Sequence, residues 1–172
     1  MAENNNWPNR KKETYTYEEA REYLVSAMKD RAKTLGAFYK VMPRELFDEY
    51  AKKACYEYGA AKGDRIPVKD SPKAFADFLV SCNSVANTCA IGNSVQSETE
   101  DEIVVHMAGS CALVEGWREM GLTNEEVDYL CSVQCYGDYG HTEACGCKGE
   151  WLCTSAAGKT DYCDFKITKM NK

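Results

Sequence analysis

The segment from Glu102 to Asp138 constrains the fold most, because it changes periodicity twice while keeping its reactive side chains in register. Glu102 to Met107 (EIVVHM) is a short β-branched run and predicts a strand. Ser110 is then a candidate helix N-cap, with Cys111 as the first helical residue. A thiol in that position meets unpaired backbone N–H groups and the positive end of the helix dipole, which favours thiolate. Thr123, followed three residues later by Glu126, predicts a capping box opening a second helix. On that helix Val127, Cys131, Cys135 and Asp138 recur at helical spacing and share one face. Three thiols and a carboxylate are thus delivered by one short stretch.

With 172 residues, the chain is long enough to bury one core. We expect a single α+β domain over residues 15–172, after a polar arm at 1–14. A net charge of −6 with scattered Lys and Arg excludes a nucleic-acid groove, which needs clustered cations to displace counterions. No apolar run approaches the length of a membrane span, and the first residues lack a hydrophobic leader, so a soluble, cytoplasmic protein is expected. In a reducing compartment ten cysteines are packing residues, metal ligands or reactive thiols rather than a disulfide framework. Seven of the ten lie between Cys111 and Cys163, which makes packing alone a poor account of them.

Upstream, Leu24, Met28, Leu35, Phe38, Tyr39 and Met42 keep helical spacing from Tyr17 to Met42. Pro43 suits the first turn of a second helix, whose predicted buried stripe is Phe47, Tyr50, Ala51, Ala54, Tyr58 and Ala61. Ser71-Pro72 opens a third helix with Phe75, Phe78, Leu79 and Cys82 on its apolar face. Residues 83–97 read as strand with a loop at Gly92-Asn93, pairing with the Glu102 strand. Gly137 to Cys147 is glycine-rich and predicts a loop carrying titratable groups. Lys148–Ser155 and Asp161–Thr168 predict a hairpin turning at Ala157-Gly158-Lys159, with Cys163, Phe165 and Ile167 on one face. The long first helix could complete its burial against a second copy, giving a homodimer.

Two kinds of site are open at this point. Cys131 and Cys135, one helical turn apart, with Cys145 and Cys147 downstream, could hold a tetrahedral zinc or, as the other choice, an iron–sulfur cluster. The protein would then be a metal-stabilised small-molecule-binding or sensory module. Alternatively Trp117, Trp151 and the tyrosines could line an apolar pocket in which no bond is broken. Phosphate-loop, dinucleotide-binding and serine-hydrolase signatures are all absent.

The run from Leu130 to Asp138 (LCSVQCYGD), with Gly158 to Phe165 (GKTDYCDF) downstream, resembles the L-2-amino-thiazoline-4-carboxylic acid hydrolase family. Gly109-Ser110-Cys111-Ala112-Leu113 fits that family's cysteine-led helix, and Phe38 to Gly63 is similar to its N-terminal helical part. The resemblance implies a hydrolase of non-peptide carbon–nitrogen bonds whose substrate is a small cyclic isothiourea, opened to N-carbamoyl-cysteine. Glu150-x-x-Cys153, Gly158 and Cys163-x-Phe165 resemble four-vinyl-reductase-type ligand-binding domains, some of which hold a structural zinc. That likeness implies an α+β fold with helices packed on an antiparallel sheet; with the elements read above, we expect N-terminal helices on that sheet, a helix pair inserted between strands and a C-terminal β-hairpin. His141, Cys145 and Cys147 depart from the hydrolase pattern, in a region expected to border the pocket.

Opening such a ring needs a nucleophile at the central carbon, a proton donor for the leaving atom and an anchor for the substrate carboxylate. Cys111 is the expected nucleophile, activated by its helix terminus and by His106 five residues upstream. Asp138 would bind the protonated amidine or act as general base. This reading requires Cys111 and Asp138 to line one cavity.

Overall fold

A computed structural model describes residues 14–81 and 92–170. Two helices, α1 (Tyr17–Val41) and α2 (Arg44–Ala60), lead through a 3-10 turn at Gly63–Arg65 to α3 (Pro72–Ser81). The hairpin of β1 (Gly92–Glu98) and β2 (Glu102–Ala108) is followed by α4 (Ala112–Glu119), α5 (Asn124–Gln134) and α6 (Tyr136–Ala144). A second hairpin, β3 (Cys147–Cys153) and β4 (Tyr162–Lys169), completes one antiparallel sheet in the order β1-β2-β4-β3. The α+β architecture is therefore the expected one. The insertion between β2 and β3 holds three helices rather than a pair.

Local chemistry explains most boundaries. Thr16 with Glu19 and Thr123 with Glu126 form capping boxes, each satisfying backbone N–H groups that the helix cannot. In the sheet, Ile103 and Val105 of β2 stand opposite Ile167 and Phe165 of β4 and are buried beneath the helices. Strand alternation sends His106, Asp164 and Lys166 to the other face. Two packed cores result. Ala32, Phe47, Trp117, Leu130 and Val133 close the first, among α1, α2, α4 and α5. Ile66, Phe75, Ile103, Phe165 and Ile167 close the second, between the sheet and α3.

Several expectations change. Residues 1–13 and 82–91, which hold the N-terminal arm and Cys82 and Cys89, lie outside the described residues. Gly92 and Asn93 do not form a loop; they start β1, which pairs with β2 as expected. Cys111, not Ser110, is the N-cap of α4, with extended φ and ψ of −87° and 115°. The buried side of α2 is Phe47, Ala51, Cys55 and Gly59, whereas Tyr50 and Tyr58 are exposed. Gly137 to Ala144 is helix rather than loop, and one contact accounts for both changes.

That contact is the packing of α2 on α6 through glycines. A Cβ on Gly59 would collide with the Gly137 carbonyl, and one on Gly140 with the Tyr56 carbonyl. Backbone thus meets backbone, and α6 gains more from docking than its glycines lose in helix propensity, about 1 kcal/mol each. Gly59→Ala is expected to destabilise the fold by about 1–3 kcal/mol or more, read as a fall in the denaturation midpoint. Gly92→Ala, whose Cβ would make only an ordinary 3.7 Å contact, should leave that midpoint nearly unchanged.

Candidate functional site

Where the two cores meet, α1, α3, α4, α5, α6 and the sheet leave a chamber of about 310 Å³. Its helical wall carries Cys111, Cys131, Cys135 and Asp138, so the predicted register survives the α5–α6 junction. The opposing sheet contributes Met107, Trp151, Cys163 and Phe165. Arg31 of α1, with Lys62 and Arg65 beside the 3-10 turn, adds three cations.

Charge in the chamber is unbalanced. Among the described residues Asp138 is its sole carboxylate and none of the three cations makes an ion pair. Tyr58 braces two of them: Lys62 Nζ stands 4.0 Å and Arg31 Cζ 5.1 Å from its ring centre. Burial lowers the pKa of Lys62, and the neighbouring Arg31 and Arg65 add to that. Burial raises Asp138 to about 6, against the opposing pull of Lys62, the Trp151 indole and Arg31. Asp138 is half-buried and lines the chamber.

Two further polar atoms end in this space without a hydrogen-bond partner among the described residues. His141, only 7% exposed, is wedged edge-on between Phe75 and Phe78, and its Nε2 makes no hydrogen bond. Burial, helped by Lys62 and Arg65, lowers its pKa to about 4, so it is neutral at physiological pH. Trp151 Nε1 is likewise buried and lacks a hydrogen-bond acceptor; its influence on Asp138 falls short of a formed bond. Buried polar atoms rarely go unsatisfied, and both line the same cavity.

The thiols are not equivalent. Burial pushes Cys111 up to about 11, outweighing the favourable amides of Val114 and Leu113, and the thiol makes no capping hydrogen bond. The helix tip thus fails to activate it, contrary to expectation. Cys131 is the thiol held down, first by a hydrogen bond from Cys135 and also by the Thr154 hydroxyl. Cys135 rises correspondingly, because its proton serves its neighbour. Cys163 is raised by burial; the Ser155 amide donates to its sulfur over 3.3 Å.

Other predicted residues fall outside this constellation. His106 lies on the far face of the sheet, its Nδ1 2.7 Å from Asp164 Oδ1, in an open cleft of about 710 Å³. Cys111 borders that cleft as well as the chamber, but His106 does not reach the chamber wall. The four-thiol metal set is not assembled. Cys135 and Cys145 sit at opposite ends of α6, roughly 15 Å apart along its axis, far beyond the span of one tetrahedral ion. Cys145 and Cys147 are buried in the second core, and among the described residues no three His, Cys, Asp or Glu side chains could hold a metal. Arg31, Lys62 and Arg65 were not expected at the site. Only Arg31 had left a trace: it falls in register with Leu24, Met28 and Leu35, a charge within an apolar stripe.

No family model matches the chain, and no curated protein is similar to it in sequence. Among solved structures, it is similar to a trafficking protein particle complex subunit 3 from Naegleria fowleri covalently bound to palmitic acid. That likeness has 12% identity and a TM-score of 0.60, covering 84% of this chain and 96% of that one. It shows a shared fold. An H-NOX protein from K. algicida is also similar at 12% identity, over 92% of this chain and 76% of that one, with a TM-score of only 0.37. No helix among the described residues is long and apolar enough to cross a membrane.

Because its folded pKa of about 6 exceeds the ordinary 3.8, Asp138 opposes folding once it ionises. Its penalty is absent below about pH 4 and complete above pH 6, reaching roughly 3 kcal/mol. Asp138→Asn should therefore stabilise the protein near pH 8 and have little effect near pH 4, as read by urea denaturation. Thiol alkylation near neutral pH should label Cys131 well before Cys111, as read by peptide mass spectrometry.

Proposed function

We propose that this protein hydrolyses a small cyclic amidine or isothiourea that carries a carboxylate, with 2-amino-thiazoline-4-carboxylate as the representative substrate. The observation behind this reading is one small chamber holding a depressed thiol, a raised carboxyl and three cations with no ion pair among the described residues. An amidinium with a carboxylate on a small ring presents the complementary charges. Asp138, once ionised, pairs with the amidinium, while Arg31, Lys62 and Arg65 receive the carboxylate. Trp151 Nε1–H offers a further donor to that anion.

Cys131, rather than Cys111, is the nucleophile in this scheme. Its thiolate attacks the amidine carbon and a ring heteroatom leaves with a proton. Water then displaces the thiolate, so one water is consumed per ring opened. Departure of the ring sulfur gives the N-carbamoyl thiol; departure of the ring nitrogen gives the S-carbamoyl amine. Titration of released thiol separates these products.

Incubation of the protein with 2-amino-thiazoline-4-carboxylate, followed by mass spectrometry, should show addition of one water. Cys131→Ser should cut turnover to below about a thousandth, as expected on removal of a nucleophile. Arg31→Ala should raise KM about tenfold, the equivalent of one charged contact, with kcat little changed. Unchanged turnover in Cys131→Ser, or failure to open any member of this substrate class, would reject the reading.

The chamber's apolar wall and buried thiols also admit a second reading, in which a cysteine of this chain carries a long acyl chain; the N. fowleri protein of similar fold is covalently bound to palmitic acid. Three cations, Asp138 and His141 make this a poor seat for an alkyl chain. A hydroxylamine-labile acyl adduct on the purified protein would favour it.

A further inference from the structure

Cys131 and Cys135 occupy a particular place in the backbone. Cys131 lies in the last turn of α5, and Cys135 is at once the C-cap of α5 and the residue preceding α6. The Cys135 amide donates to the Cys131 carbonyl over 2.9 Å, which holds the two residues one turn apart on the chamber face. Side chains so spaced have Cβ atoms about 5–6 Å apart, only 1–2 Å more than a disulfide requires. At this junction the Cys135 carbonyl is shared between the Asp138 and Tyr139 amides, at 3.0 and 3.1 Å, and closing the bridge draws on this divided turn.

The surrounding thiols cannot serve as well. Cys163 is engaged by the Ser155 amide and hydroxyl, and Cys111 is deeply protonated. Cys145 and Cys147 belong to the second core. Both Cys131 and Cys135 are free thiols, and neither belongs to a group that could bind metal among the described residues. The cations of Arg31, Lys62 and Arg65 face the same space, where a departing hydroxide or alkoxide would form.

We propose that Cys131 and Cys135 form a peroxide-reactive dithiol, which a small hydroperoxide admitted to the chamber converts to a disulfide across the α5–α6 junction. The Cys131 thiolate attacks one peroxide oxygen and the O–O bond breaks. Cys131 becomes a sulfenic acid, and the second oxygen leaves as water or alcohol after taking a proton. The Cys135 sulfur then attacks the Cys131 sulfur and the S–O bond breaks. Hydroxide departs with the Cys135 proton as water. The dithiol loses two electrons, and the peroxide gains them. Cys131 has the depressed pKa and Cys135 the raised one, as attacking and resolving thiols require. The inference does not depend on hydrolysis: it concerns the resting protein, and its readout is a covalent bond.

The test uses the full chain, reduced and then treated with hydrogen peroxide, trapped by alkylation and digested without reductant. Cleavage after Leu130 and Tyr136 isolates the pair from every other cysteine. The expected peptide lacks two hydrogens and regains them with dithiothreitol. Cys135→Ser should stop at a sulfenic acid captured by dimedone, and Cys131→Ser should leave Cys135 reduced. A bridge from Cys131 to Cys111 or Cys163, oxidation of Cys135 in Cys131→Ser, or an unmodified Cys131 in the wild type would each overturn the proposal. Should either variant fail to fold, peptide mapping of the wild type decides alone.

Discussion

Backbone contact between α2 and α6 is the constraint on which the site depends. Where Gly59 meets Gly137, and Gly140 meets Tyr56, no side chain separates the two helices. An α6 seated this close has its other faces fixed as well, among them the one bearing Asp138 and His141. The same contact rotates α2 so that Phe47 enters the first core while Tyr58 stays outside to brace Lys62 and Arg31. Carboxyl, imidazole and cations are thus placed together by one interface that carries no chemistry of its own.

Much of this architecture was legible in the sequence, because the signals involved are local. Thr123 with Glu126, the β-branched run from Glu102 to Met107, and the Cys163-Phe165-Ile167 face each need only a few neighbouring residues to be read, and each is found. The face shared by Cys131, Cys135 and Asp138 was legible for the same reason. Readings that failed involved residues whose role is set by a distant partner. Gly137 and Gly140 suggest a loop when taken alone, and the surface of α2 accounts for their helical state. The expectation for Cys111 changes for a related reason: a helix terminus favours thiolate, but the dry surroundings of Cys111 outweigh it, and those surroundings come from other elements. Lys62 and Arg65 left no pattern, since a turn imposes no periodicity on its charges.

Electrostatics sharpen the chemical picture. In a space walled by Phe75, Phe78, Trp117 and Trp151, unpaired charge costs far more than at the surface. A chamber with several cations facing one partly protonated acid is therefore poised for an incoming anion. Neutral His141 and the idle indole of Trp151 impose the same demand in the language of hydrogen bonds. Such groups cost the fold stability and fit the recognition role proposed for the chamber.

The chamber's position between two separately packed cores has an evolutionary reading. Its walls at Phe78, Leu79 and Met107 sit at the margin of the second core, while Ile103, Val105 and Ile167 keep that core closed behind them. Changes in those marginal side chains would reshape the cavity while leaving both packing centres intact. Descendants of such a scaffold can exchange one small guest for another of different outline without first acquiring extra stability elsewhere.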